Sequence, residues 1–193
     1  MLVLASQSPR RREILSQAGI PFTVRVAQVD ETPLAGEAPA ATAYRLAAAK
    51  ARSIASGHRD ALIIGSDQVA DCQGRAIGKP GTHENAVAQL HALAGQTVVF
   101  HTGVALLDAA SGACQTALVD VRSTYRHLTS EEIEGYLRRE QPYDCAGSVR
   151  SESLGIALFE RIESDDPTAL IGLPLIQLSR MLAAAGVTVL APR

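Results

Sequence analysis

The chain has 193 residues, 47 % apolar and 20 % charged, which fits one globular domain over 1–193 and excludes a disordered chain. A net charge of −2 removes bulk attraction to nucleic-acid polymers or anionic lipid, and 4 % aromatic residues without tryptophan argue against a base-stacking surface. No run approaches the roughly 20 apolar residues of a membrane span, and the 3 cysteines and 5 histidines show neither disulfide nor zinc-ligand spacing.

Leu2–Ala5 reads as a short buried strand. The basic residues Arg10, Arg11 and Arg12 follow this apolar run, the reverse of a signal peptide, so a cytoplasmic protein is expected. Ser6-Gln-Ser-Pro9 is a turn into a helix over about residues 10–18, with Ser8 suited to the N-cap, Pro9 to the first helical position and Gly19 to the stop. Residues 22–29 alternate like a strand and run into Asp30-Glu-Thr-Pro33. An alanine-rich helix is expected over 40–56 and a second apolar strand over 61–65, followed at once by Ser66-Asp67-Gln68.

The loop Gly78-Lys-Pro-Gly81 precedes a helix over 83–94, and two strands over 97–107 and 118–126 are joined through residues 108–112. Thr129-Ser-Glu-Glu132 is a capping-box pattern. A short strand over 156–162 and a last helix over 174–185 complete the chain. Alternating strands and helices with an antiparallel pair in the middle predict an α/β domain: a mixed twisted sheet with flanking helices, in two lobes around a central cleft.

The first turn carries the sharpest chemical signal. Three arginines at a helix N-terminus each oppose the dipole by roughly 0.3–1 kcal/mol, in front of backbone N–H groups that already favour an anion. A polyphosphate explains this best, and a solvated basic turn is the alternative. Neither GxxxxGK[ST] nor GxGxxG occurs. Asp67 and the pair Asp30-Glu31 follow predicted strands, where ligands of α/β sheets collect, and can hold Mg²⁺ or orient a water, although turn-forming roles are the commoner use. Lys79, in a rigid Gly-Lys-Pro loop, is a candidate phosphate contact. Lys50, late in a helix, is equally a surface lysine.

Ala5-Ser-Gln-Ser-Pro-Arg-Arg-Arg12, Val29-Asp-Glu-Thr-Pro33, Gly65-Ser-Asp-Gln68, Gly78-Lys-Pro80, Cys145-Ala-Gly-Ser148 and Ile171-Gly-Leu-Pro-Leu175 stand in the order found in the Maf family, which the chain resembles over nearly its whole length. The resemblance implies a fold akin to the inosine-triphosphatase group and hydrolysis of a nucleoside triphosphate to the monophosphate and pyrophosphate with a divalent cation, Mg²⁺ or Mn²⁺. It implies Asp67 as proton acceptor, Ser6, Arg11, Arg12, Lys50 and Lys79 in the phosphate pocket, and Glu31 with Asp67 at the metal. The oligomeric state stays open, a homodimer being one option.

Within the family one branch acts on dTTP and UTP and another on 7-methyl-GTP. Asp67-Gln68, Ser151-Glu152 and Cys145-Ala-Gly-Ser148 resemble the second, which makes Arg10, Gln68 and Glu152 the expected specificity residues. Chemistry gives an independent reason. An N7-methylated guanine is cationic and offers N1–H and a 2-amino group on one edge, both of which a carboxylate accepts through charge-assisted bonds roughly twice as strong as neutral ones. Some members of that branch carry a stacking aromatic residue where Arg10 stands, so Arg10 must either lie on the cationic ring against charge repulsion or turn toward phosphate. The rival readings are a dTTP or UTP pyrophosphatase and a non-catalytic nucleotide-binding regulator of septum formation.

Overall fold

The computed structural model describes residues 1–190; the last three positions of the expected domain, 191–193, lie outside the described residues. Strands β1 (Leu2–Ala5), β2 (Thr23–Arg25), β3 (Leu62–Cys72), β4 (Arg75–Ile77), β5 (Thr97–Asp108), β6 (Cys114–Tyr125) and β7 (Phe159–Glu163) form one mixed sheet in the order β2-β1-β3-β5-β6-β7, with β4 on the outer half of β3. The helices are α1 (Pro9–Gln17), α2 (Pro39–Ser53), α3 (His83–Leu93), α4 (Ser130–Glu140) and α5 (Leu175–Ala184). The mixed α/β fold with flanking helices is the one expected.

Alternation along β1 sorts the near half of the sheet into two packed faces. Leu2 and Leu4 meet Ile14 and Leu15 of α1 and Leu178, Met181 and Leu182 of α5. Val3 and Ala5 meet Ala47, Ala48 and Ala51 of α2. A further core gathers around Phe100, Val121 and Tyr125 with α3 and α4, at the other end of the long strands. Strands β3, β5 and β6 thus run through both lobes.

Two boundaries differ from the sequence reading in ways that matter. The apolar run at 61–65 continues as strand to Cys72, because β5 pairs antiparallel with β3 from Leu62 to Asp71 and overrides the polar Ser-Asp-Gln stretch. Asp67 and Gln68 therefore lie inside a strand and do not follow one. The parallel partner β1 reaches only as far as Ile64, and β4 takes over at Ala70. Between them one flank of β3 is open, and the cleft occupies that gap. The expected strand over 22–29 shrinks to Thr23–Arg25, which pairs with β1 alone.

Local signals held where their partners are adjacent in sequence. Ser8 caps α1 by accepting from the Arg11 N–H at 3.3 Å with Pro9 at the first position, and Thr129 with Glu132 forms the full capping box. The start of α5 is capped from a distance instead. The buried Asp166 accepts from the N–H groups of Ile176 and Gln177 at 2.7 and 3.1 Å.

Candidate active site

A cavity of about 850 Å³ lies between the lobes, within the usual range of about 300–1,000 Å³ for small-molecule sites. Its wall includes Ser6, Arg10, Arg11, Glu31, Lys50, Asp67, Gln68, Lys79 and Glu152. The structure brings nine of the ten expected site residues to one cleft. Arg12 is the exception.

The helical rotation of about 100° per residue explains that difference. Arg11 precedes the buried Ile14 and Leu15 by three and four positions, so it shares their inward face. Its Nε donates to the Gly172 carbonyl at 2.7 Å, a carbonyl that also accepts from the buried Ser66 hydroxyl at 2.9 Å. Burial pulls the Arg11 guanidinium below its ordinary pKa, with the carboxylates of Asp67 and Glu31 opposing the shift. Arg12 shares its face with Ser16, is exposed, and borders a separate depression beside Ile20 and Phe22. It therefore stands outside the cleft that gathers the other nine.

Lys50 is buried and donates to Asp67 Oδ1 at 2.6 Å, with Glu31 Oε1 also 2.6 Å from its ammonium. The hydrogen bond from Lys50 to Glu31 is the main reason Glu31 titrates below its ordinary range, with the charges of Lys50, Lys79 and Arg11 adding to it. The approach is made possible by small residues. A Cβ at Gly65 would collide with the Ala47 carbonyl, and one at Gly103 with the Ala43 carbonyl. Two glycines facing an alanine stripe thus let α2 lie against β3 and β5, which carries Lys50 down to Asp67. The alternative of a surface lysine is excluded by its burial.

The Glu31 loop is fixed from α2. Arg45 grips Glu37 at 2.6 and 2.7 Å and donates to the Thr32 carbonyl at 3.2 Å. Glu37 is held down to about 2 by this fork, its strongest influence. Ser6 is buried and its hydroxyl accepts from the Ser8 N–H at 3.1 Å, bracing the turn below the arginines. Lys79 is exposed at the cleft wall and makes no ion pair among the described residues.

At the other charge cluster Arg10 answers the question left by the sequence. Its two terminal nitrogens lie 3.4 Å from Asp144 Oδ2, and its Nε lies 3.9 Å from Glu152 Oε1. It turns toward carboxylates. Gln68 commits its amide nitrogen to Thr102 Oγ1 and to the carbonyls of Ala169 and Leu170, at 2.8 to 3.1 Å. It thereby pins the single turn Pro167–Ile171 to the cleft wall.

Sequence reasoning missed an amide pair on α3. Asn85 and Gln89, four residues apart, donate to the carbonyls of Pro80 and Gly78, at 3.0 and 3.1 Å, on either side of Lys79. Gln89 also accepts from the buried Ser148 hydroxyl at 2.6 Å, tying the Lys79 loop to Cys145-Ala-Gly-Ser148. The i,i+4 spacing was visible, but nothing in the sequence marked what faced it.

Two carboxylates and an all-oxygen donor set suit Mg²⁺ or Mn²⁺, hard cations that usually take one or two carboxylates and complete their shell from substrate phosphates and water. No denser group of metal-binding side chains occurs among the described residues. Glu31, drawn further below its ordinary range mainly by the Lys50 hydrogen bond, is anionic at neutral pH and offers the charge such an ion takes.

A cleft between lobes of a mixed sheet, with Lys50 and Arg11 facing carboxylates at one of its walls, defines an α/β protein with a charged small-molecule cleft. The Maf-like protein profile matches residues 1–185, and the chain belongs to this family. Full-length relatives agree. The chain is 59 % identical over 192 residues to the 7-methyl-GTP pyrophosphatase of Polaromonas sp. strain JS666, covering 100 % of this chain and 88 % of that protein. It is 57 % identical to the proteins of the same name from Cupriavidus metallidurans and Paraburkholderia xenovorans, covering 96 % of this chain and 93 % and 92 % of theirs. No helix of the described residues is long and apolar enough to cross a membrane.

Proposed function

We propose that the chain is a nucleoside triphosphate pyrophosphatase that hydrolyses 7-methyl-GTP to 7-methyl-GMP and pyrophosphate. The observation that carries this reading is one cleft holding both Glu31, Lys50, Asp67 and Arg11 and, beside Arg10, Glu152. Relatives that match the whole chain bear the corresponding name.

In this reading the triphosphate lies along Arg11 and Lys79, whose positive charges offset the charge that builds on phosphoryl oxygens as the bond breaks. Arg11 is positioned for this before substrate arrives, because the Gly172 carbonyl fixes its Nε. Lys50 holds Asp67 by Oδ1, and Oδ2, which takes no hydrogen bond among the described residues, can accept a proton from water. The water oxygen joins the α-phosphorus, the bond to the α–β bridging oxygen breaks, and pyrophosphate leaves with that oxygen. Glu31 and Asp67 would hold a divalent cation. When bound, that cation supplies neutralisation of the phosphate charge.

Glu152 reads the base by accepting from N1–H and the 2-amino group and by complementing the cationic ring. The cytoplasm, with its nucleotide pool, is the compartment that suits this chemistry. A panel of 7-methyl-GTP, GTP, dTTP and UTP, with products identified in the presence of Mg²⁺ and of chelator, tests reaction and base together. Preferred release of pyrophosphate and 7-methyl-GMP is expected. Preference for dTTP or UTP sinks the base assignment, and no turnover of any nucleotide sinks the hydrolase.

A further inference from the structure

The position of Arg10 raises a problem that its neighbours solve. A guanidinium next to the carboxylate that reads a cationic base has two costs. It competes for that carboxylate, and it repels the ring. Left alone, Arg10 and Glu152 would pair and present the base with little net charge.

A second carboxylate intervenes. Both terminal nitrogens of Arg10 meet Asp144 Oδ2 at 3.4 Å, whereas Glu152 stays at 3.9 Å from Nε and makes no hydrogen bond among the described residues. Asp144 is itself held in place. The Cys145 thiol donates to its Oδ1 at 3.3 Å, and Arg150 lies 3.7 Å from the same oxygen. Arg150 is fixed in turn: its N–H donates to the Tyr136 hydroxyl at 3.0 Å, and its Nη1 donates to the Glu140 carbonyl at 3.2 Å.

We infer that Asp144 is a positioning residue for base selection. It takes up Arg10, so Glu152 keeps its negative charge and its lone pairs for the methylated base. The inference rests on the function proposed above, and it assigns to Asp144 a part in choosing the base and none in breaking the phosphoanhydride.

The test compares kcat/KM for 7-methyl-GTP and GTP in the wild type, Asp144→Asn, Arg10→Ala and the double variant, with thermal melts to confirm folding. Freed from Asp144, Arg10 turns to Glu152, and the 7-methyl-GTP to GTP ratio falls about tenfold in Asp144→Asn, as expected for one charge-assisted interaction. Removing Arg10 as well restores the ratio to within about threefold of the wild type, a rescue that a merely structural role would not give. Asp144→Glu keeps the carboxylate and retains the ratio, and Asp144→Ser, which removes it, carries the test with the same expected loss and rescue if Asp144→Asn fails to fold. Equal losses on both substrates, or no rescue in the double variant, overturn the inference. If the wild type prefers the methylated base and Asp144→Asn keeps that preference, this inference alone falls. If the wild type shows no such preference, the proposed function falls first and takes it along.

Discussion

The two charge clusters of the cleft are built differently. Around Asp67 the ion pairs are 2.6 Å long, and Lys50 and Asp67, both 8 % exposed, stand on a long central strand and the helix packed on it, while Glu31, with its side chain 59 % exposed, joins them from a loop braced by Arg45. Around Glu152 the contacts run from 3.4 to 3.9 Å and the Asp144 side chain is 63 % exposed. These residues stand on a first helical turn and on the loops that follow α4. Bond breaking needs groups held to a fraction of an ångström, which rigid elements supply. Base choice needs surfaces that can differ between relatives, which loops supply.

That contrast can be broken by experiment. The largest effect belongs to Asp67→Asn, which should lower kcat by about a thousandfold, within the range for loss of a general base, while equilibrium binding of 7-methyl-GTP changes little. Retained turnover would remove Asp67 from the chemistry. Gly103→Ala forces a methyl group against the Ala43 carbonyl and should cost about 1–3 kcal/mol, seen as a Tm lowered by roughly 2–10 °C. An unchanged Tm would mean that α2 can move away from the sheet, and the rigid half of the comparison would go with it.

Glu152→Gln should cut the preference for the methylated base about tenfold with less effect on GTP. A loss shared equally by both nucleotides would merge the two clusters into one. The Glu37–Arg45 anchor of the Glu31 loop gives a pH signature. Glu37 is depressed from 4.5 to about 2, so its stabilisation is present above 4.5 and lost as the pH falls toward 2. Glu37→Gln should therefore melt below the wild type at neutral pH, and the gap should close through that window. The smallest effect is expected for Arg12→Ala, less than about twofold in kcat/KM, whereas Arg11→Ala should lose at least about tenfold. Comparable losses would return Arg12 to the cleft.

Several features followed from the sequence by itself: the mixed α/β class, the caps at Ser8 and Thr129, the stop at Gly19, and the set of charged residues available for chemistry. They were legible because capping, periodicity and dipole effects act between residues a few positions apart. Even the split between Arg11 and Arg12 was implicit in their spacing from Leu15 and Ser16. Only the tertiary structure decided that strand β3 runs on through Asp67, since the β5 ladder that extends it comes from some 30 residues further along the chain. It also decided that Lys50 is buried, because two distant glycines admit the helix, and that Arg10 turns to Asp144, 134 positions away. Local preferences are properties of neighbours in the chain, but pairing partners, close approaches and opposed charges exist only once distant segments share one space.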